Sequence, residues 1–327
     1  MRKACTSLYV CGHNHSQVFE ELKCQAASVA GAWSLSAFSN PDSSIHIIHD
    51  ATDQRKALHL TGGNEVISQI CGGSEHFLVR TSEGIVYAWR TGKRDVLGTG
   101  WSVANREWTV LPHSQMSPYS YIAAGLYSSA GVSAGQLFFW REFGSTQSTP
   151  LKMESKITFE KVACGGHHFL ATTKQGDVYT WGWGLYGMLG HGDSADQSEP
   201  KLVEALIGEP VMEIAAGPWH SCCVTAGGDV YTFGWGEHGR LGHGNATSSL
   251  EPKLVEALEE EEAVKVACGS RHTAIVTRSG SCYSMGWNKY GQVGDGSRTD
   301  QYFPVDVTPK DMRARDVACG RWHTLLV

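Results

Sequence analysis

The chain has 327 residues, 41% hydrophobic and 18% charged, which supplies a folded core and excludes a disordered chain. Its net charge of −6 provides no global field for a phosphate backbone, so a direct nucleic-acid partner is not expected. Met1–Val10 lacks the apolar core of a secretory signal and no run approaches the ~18 apolar residues of a membrane span, so residence in nucleus or cytoplasm is expected, with no membrane partner.

The 38 glycines have no collagen period and imply short strands joined by tight turns. In chain order, Leu8–Gly12 (LYVCG) is the first strand-like segment. Gly31 with Ser34 opens a pattern in which a glycine is followed three residues later by a histidine or small polar residue; Gly73 with His76 and Gly125 with Ser128 repeat it. The pattern becomes regular at Gly165–His168, Gly217–His220, Gly269–His272 and Gly320–His323, with spacings of 52, 52 and 51 residues. Behind the anchors lie alternating segments rich in Val, Tyr and Trp, at Ile85–Trp89, Leu137–Trp140, Val178–Gly182, Val230–Gly234 and Cys282–Gly286, with Ile45–Ile48 a weaker copy. Alternation of this kind reads as half-buried strand.

The unit starting at Lys161 therefore predicts four strands: Val162–Gly165, His168–Thr172, Val178–Trp181 and an outer segment at Lys201–Leu206. Seven anchors predict an all-β, seven-bladed β-propeller formed by residues 1–327 as a single body. The C-terminus stops after an anchor and its histidine strand, and Leu8–Gly12 has the pattern of the missing piece. Residues 7–12 and 314–327 are thus expected to share the closing blade, which removes exposed sheet edges.

The pattern A-C-G-x-x-H-[ST], then V-Y-x-W-G, then G-[QMR]-[LV]-G-x-G, resembles the Regulator of Chromosome Condensation repeat family, firmly from Lys161 onward and in decayed form before it. The resemblance implies a seven-bladed propeller. The last four units bear a particular likeness to an animal member of the family, which implies a Jumonji-C oxygenase as partner and a chromatin or mitotic setting. The founding member's activity implies the alternative, guanine-nucleotide exchange on a small GTPase, although no hairpin insertion resembling its β-wedge is legible here. A light-sensing plant branch carries G-W-R-H-[ST]; after the seven anchors this chain has Ala32, Ser74, Leu126, Gly166, Pro218, Ser270 and Arg321, none of them tryptophan.

No catalytic motif is present and no cofactor is expected. Gly182–Gly187 and Gly234–Gly239 match G-x-G-x-x-G, but turn-forming residues follow them where a dinucleotide site needs a helix. The five anchor histidines are expected in separate blades, too dispersed to share a metal, each imidazole bonding its own blade's backbone. Ala163, Cys164, Gly165 and their copies are expected where backbones crowd the axis, and the 10 cysteines as reduced, buried small hydrophobes. Two places suggest partner binding. Trp183, Trp235 and Trp287 recur every 52 residues and should form an arc on one face of the ring. The irregular stretch from Arg90 to Ser120 carries Trp101 and Trp108 beside Arg90 and Arg94.

Overall fold

The computed structural model describes residues 7–12, 20–25, 27–32, 35–40, 44–49, 54–58, 65–74, 76–90, 109–111, 117–141 and 150–327. They form seven antiparallel four-stranded sheets arranged as a propeller. Blade one is β3 (Ser28–Gly31), β4 (Leu35–Ser39), β5 (Ile45–His49) and β6 (Gln54–Leu58). Blade two is β7 (Ile67–Gly72), β8 (His76–Thr81), β9 (Val86–Arg90) and β10 (Thr109–Val110), and blade three is β11 (Tyr119–Ala124), β12 (Ser128–Ser133), β13 (Gln136–Arg141) and β14 (Leu151–Lys152). Blade four comprises β15 (Phe159–Cys164), β16 (His168–Thr173), β17 (Val178–Gly182) and β18 (Gln197–Leu202). Blade five comprises β19 (Val211–Ala216), β20 (His220–Thr225), β21 (Val230–Gly234) and β22 (Ser249–Leu254). Blade six has β23 (Ala263–Cys268), β24 (His272–Thr277), β25 (Cys282–Gly286) and β26 (Gln301–Asp306).

Blade seven is made from both ends of the chain, in the order β2 (Glu20–Gln25), β1 (Ser7–Gly12), β28 (His323–Leu326), β27 (Val317–Cys319). Tyr9 pairs with Leu326 and Gly12 with His323, so backbone hydrogen bonds join the two ends of the chain. The three blades built on the decayed stretch each have four strands, the last of them β14 at Leu151–Lys152. One expected boundary is corrected. The outer strand of blade four is Gln197–Leu202, and Glu204–Leu206 is a 3-10 turn, because the Val203 amide bonds the Val178 carbonyl and the chain then turns toward the next blade.

The core lies between blades. Leu170 and Val178 of blade four pack with Val211, Ile214 and Phe233 of blade five, all buried, and the same arrangement joins Cys222 and Val230 to Ile275 and Met285. Alternation places Cys222 and Cys223 in different clusters on opposite sides of β20. Pro200, Pro252 and Pro304 occupy outer strands, where a missing amide costs no ladder bond.

At the axis, each glycine is required by two neighbours. A Cβ on Gly165 would lie 2.4 Å from Cε1 of His168 and 2.7 Å from the Gly217 carbonyl oxygen of the next blade. At Gly73, Gly269 and Gly320 the clash with the blade's own histidine would be at 2.0 to 2.2 Å, and at Gly217 it would be at 2.7 Å. The first anchor is corrected by one residue. Gly31 pairs with Ser36 as Cys164 pairs with Phe169, which puts Ala32 in the anchor slot and Leu35 in the histidine slot. Trp33 then follows the first anchor, so one unit does carry a tryptophan there; Trp33 and Ser34 themselves lie outside the described residues.

The Nε2 atoms of the histidines, expected to bond their own blade's backbone, reach across to the neighbouring blade instead. Each Nε2 meets a hydroxyl of the next blade: His76 with Ser129 at 2.6 Å, His168 with Ser221 at 2.9 Å, His220 with Thr273 at 2.9 Å, His272 with Thr324 at 3.0 Å and His323 with Ser36 at 3.0 Å. In three blades the hydroxyl in turn donates a hydrogen bond to a loop carbonyl of the histidine's blade. Ser221 donates to Met188 at 2.8 Å, Thr273 to Arg240 at 2.8 Å and Thr324 to Gln292 at 2.7 Å. A hydroxyl has one proton to give, so Nε2–H must be the donor in these three pairs. The buried Nδ1 atoms of His168, His220 and His272 have no hydrogen-bond partner, as a neutral Nε2–H tautomer allows. Burial lowers the pKa of His168 and His272 to about 3 and that of His220 well below its ordinary value.

This tautomer makes stability depend on pH. The unfolded imidazoles titrate near 6.5 while His168 and His272 stay neutral to about 3, so the unfolded state binds more protons across that window. Stability is full above about pH 6.5 and falls as pH drops toward 3, by about 2 kcal/mol for each of these histidines between pH 6.5 and 5. Urea unfolding followed across this range should show the loss. His168→Gln, which keeps an N–H donor and removes the titration, should flatten the slope, and an unchanged slope would contradict the assignment.

Candidate partner-binding face

The anchor turns and the loops between third and fourth strands open on the same end of the ring, the top face. Gly182 ends β17 at φ +105°, and a Cβ there would lie 2.3 Å from the His167 carbonyl oxygen. The next residue is Trp183, whose amide donates to that carbonyl at 2.9 Å. Trp235 donates in the same way to Trp219 and Trp287 to Arg271, each at 2.9 Å. Every tryptophan of the arc is thus pinned over the residue two positions past its blade's anchor.

The rings continue this order. Trp183 stacks on His167 at 3.8 Å, and His167 meets Tyr127 at 4.9 Å. Trp235 is covered by Tyr186 from the preceding blade's loop at 5.1 Å and meets Trp219 edge-on at 5.7 Å. Trp287 contacts His238 of the preceding loop at 5.9 Å, Tyr290 at 5.5 Å and Trp322 of blade seven at 4.7 Å. Tyr186 and His238 are non-glycine residues with φ near +61° and +66°, a conformation that costs about 1 kcal/mol or more and that lays each ring on the next blade's tryptophan. Guanidiniums overlie three of the rings: Arg240 over Trp235 at 4.5 Å, Arg271 over Trp287 at 5.2 Å and Arg321 over Trp322 at 4.8 Å.

Arg240 is fully buried and donates to the carbonyls of Glu237 at 2.9 Å and Ser270 at 3.2 Å. Burial and then the neighbouring Arg271 charge lower its pKa to about 9. Beside it, Arg271 donates to Nε2 of His238 at 3.3 Å, and Nδ1–H of His238 donates to Asp300 at 2.7 Å.

Exposure differs along the arc. Trp183 is 46% exposed, while Trp235 and Trp287 are half-buried by their neighbours. Arg90 ends β9, its backbone opposite His76. Trp101, Trp108 and Arg94 lie outside the described residues. His167, Trp219, Arg271 and Trp322 were missed as site residues in the sequence reading. Their signal was available in the variable pair between anchor glycine and histidine, where aromatic and basic residues recur.

Other features have internal uses. The amide of Gly184, inside the first G-x-G-x-x-G run, donates to Asp196 of its own loop at 2.9 Å, and Gly236 donates to Ser248 at 3.2 Å. The anchors surround an axial cavity of about 100 Å³ that reaches Cys164, Cys268 and Cys319. Burial pushes the thiols of Cys71, Cys223 and Cys319 up to about 12, so they are protonated and weakly nucleophilic. At the opposite end of the axis is a funnel of about 420 Å³, where Glu213 pairs with Lys161 at 2.8 Å and with Lys265 at 3.0 Å. Among the described residues no three His, Cys, Asp or Glu side chains assemble as a metal-binding set, and no helix is long and apolar enough to cross a membrane.

The RCC1-like domain model matches residues 135–326, more than half of the chain. The chain belongs to the RCC1-like domain family. Within this family it is 36% identical to the ultraviolet-B receptor UVR8 of Arabidopsis thaliana over 296 residues, covering 85% of the chain and 67% of the receptor. It is 37% identical to human RCC1 domain-containing protein 1 over 214 residues, covering 52% of the chain and 56% of that protein. The chain thus spans only part of these relatives. Among solved structures, Prp20p of Saccharomyces cerevisiae superposes with a TM-score of 0.88 at 17% identity, over 98% of this chain and 91% of that one, which is a likeness of fold. The RCC1-like blades fix the spacing of the arc, and its side chains differ from blade to blade.

The packing predicts how the three tryptophans respond to truncation. Trp183→Ala should cost under about 1 kcal/mol in unfolding free energy, as expected of a half-exposed side chain, while Trp235→Ala and Trp287→Ala should each cost about 2 kcal/mol or more. Equal losses at all three positions in denaturant titrations would contradict the exposure gradient.

Proposed function

We propose that this RCC1-like propeller is a non-enzymatic scaffold that presents the arc of Trp183, Trp235 and Trp287 to another protein, a Jumonji-C oxygenase in a chromatin or mitotic setting. One observation carries the reading. Trp183 is held rigidly by the His167 stack and its own backbone bond, yet is 46% exposed. Rigid, part-exposed tryptophan with arginine nearby has the composition of interface hot spots. The oxygenase is what the resemblance of the last four units implies, and the 37% identity to human RCC1 domain-containing protein 1 supports that resemblance alone. Trp101, Trp108, Arg90 and Arg94 are assigned a second contact with the same partner, and the scaffold is placed in nucleus or cytoplasm. The yeast neighbour Prp20p has been described for its binding to Gsp1p and histones, which motivates testing a small GTPase beside the oxygenase.

Affinity capture from nuclear and cytoplasmic extracts, using the unaltered chain and Trp183→Ala, tests the reading. A Jumonji-C enzyme should be retained by the first and lose affinity by about tenfold with the second, the size of a hot-spot truncation. Capture of a nucleotide-free small GTPase instead, with guanine-nucleotide release accelerated by catalytic amounts of the chain, would replace the scaffold with an exchange factor.

A further inference from the structure

The loop after β17 and the outer strand of the next blade build one apolar step on the top face. Trp183, Leu185, Tyr186 and Leu250 are each between 38% and 46% exposed. A Cβ on Gly187 would lie 2.4 Å from Cα of Leu250, so β22 of blade five abuts the turn that carries Leu185 and Tyr186. Three exposed carboxylates border the step, those of Asp193, Asp196 and Glu251. Gly184, between Trp183 and Leu185, faces the segment that carries the first two, and a Cβ there would lie 2.1 Å from the Ala195 carbonyl oxygen. Oε1 of Glu251 would lie 2.9 Å from a Cβ on Gly192, the residue before Asp193.

The fold does not require these charges. Asp193 accepts the Ala195 amide and Asp196 the Gly184 amide, each at 2.9 Å. In the equivalent loop 52 residues on, Asn245 accepts the Thr247 amide at 2.8 Å and Ser248 the Gly236 amide at 3.2 Å, so neutral side chains hold the same turn. Phe303 stands in the slot of Glu251, its ring 2.3 Å from where a Cβ on Gly244 would lie, and Glu237 stands in that of Leu185. Among the described residues no Lys, Arg or His nitrogen lies within 4.0 Å of the Asp193, Asp196 or Glu251 carboxylates, and Lys201 and Lys253 of the two outer strands pair with none of them. Blade four thus carries an apolar residue and negative charges that its neighbour's loop does without.

Resting on the partner-face reading, we infer that the step takes a basic segment of the partner protein, an aromatic or aliphatic side chain on Trp183, Leu185, Tyr186 and Leu250 and lysines or arginines against Asp193, Asp196 and Glu251. Complementary charge identifies the occupant. The apolar stems of lysine and arginine cover aromatic surface while their charged heads reach the bordering carboxylates, and a guanidinium gains further from the Trp183 ring. One exposed ion pair contributes little, so recognition needs the three carboxylates together with the apolar anchor. The net charge of −6 draws a cationic segment toward the chain and repels an acidic one.

The test is selection of a phage-displayed library of random peptides on the full chain, followed by fluorescence polarisation of the selected peptides on variants. Asp193→Asn, Asp196→Ser and Glu251→Gln are combined in one chain, the first two installing side chains that blade five already carries in those slots. Selected sequences should be enriched in Lys and Arg around a Trp, Phe or Leu. Their affinity should fall about tenfold on the triple variant and with added salt, while thermal unfolding stays unchanged. If selected peptides lose affinity on Trp183→Ala but show no basic enrichment and bind the triple variant equally, the basic assignment fails and the partner face stands. If no selected peptide responds to Trp183→Ala, the face itself fails. Calcium that binds the unaltered chain, is lost from the triple variant and leaves peptide affinity unchanged would reassign the carboxylates to a metal and overturn the proposal.

Discussion

The imidazole of each anchor histidine crosses to the next blade, and the ring depends on that contact. A propeller blade is narrow where it meets the axis, and small residues there bury little apolar area. Buried hydrogen bonds between neighbours supply specificity at this point. His168, His220 and His272 donate to hydroxyls of the following blades, and those hydroxyls donate back to Met188, Arg240 and Gln292. Each relay ties three segments, the histidine strand and loop of one blade and the second strand of the next. A buried group left unpaired in such a network costs about 1–3 kcal/mol, so these contacts discriminate strongly between correct and shifted blade packing.

The same contact explains which residues vary together along the chain. Five blades carry the histidine, and the blade that follows each has Ser129, Ser221, Thr273, Thr324 or Ser36 in the receiving slot. The other two blades have Leu35 and Ser128 in the histidine slot, and the receiving slots after them hold Phe77 and Phe169. Donor and acceptor are therefore lost together. Where Leu35 replaces histidine, no imidazole presses on the anchor and Ala32 is accommodated there. At the five histidine anchors the glycine is required by the histidine three residues later as well as by the crowded axis, whereas Gly125, followed by Ser128, is required by the next blade's Cys164 and Gly165.

Much of this was legible in the sequence. The 52-residue spacing, the anchor glycines and the split of the last unit between the two ends carry the propeller and its closure, because glycine marks steric constraints that no other residue meets. Glycine as the marker places the first anchor one residue early, at Gly31, and Ala32 is the exception that the missing histidine permits. The destination of the imidazoles was not legible, since spacing along the chain reveals a slot but not the neighbour across a blade interface. The tryptophan arc was visible at Trp183, Trp235 and Trp287. Its cationic half was not, because Arg240, Arg271 and Arg321 come from three different loop positions that only the fold brings together.

Relay and face are one construction. The loop residues whose carbonyls accept the hydroxyl hydrogen bonds belong to the same loops that carry Trp183, Trp235 and Trp287, so the contact that seats each blade also sets the height of the arc. The most direct measurement is a double-mutant cycle on His220 and Thr273, with His220→Leu, Thr273→Val and the double variant unfolded in urea. The account predicts that the double variant is at least about 1 kcal/mol more stable than the sum of the single losses implies, because each single change leaves a buried partner unpaired. Losses that add to within about 0.5 kcal/mol would show that the two side chains act independently, and would contradict the relay as the interaction that joins the blades.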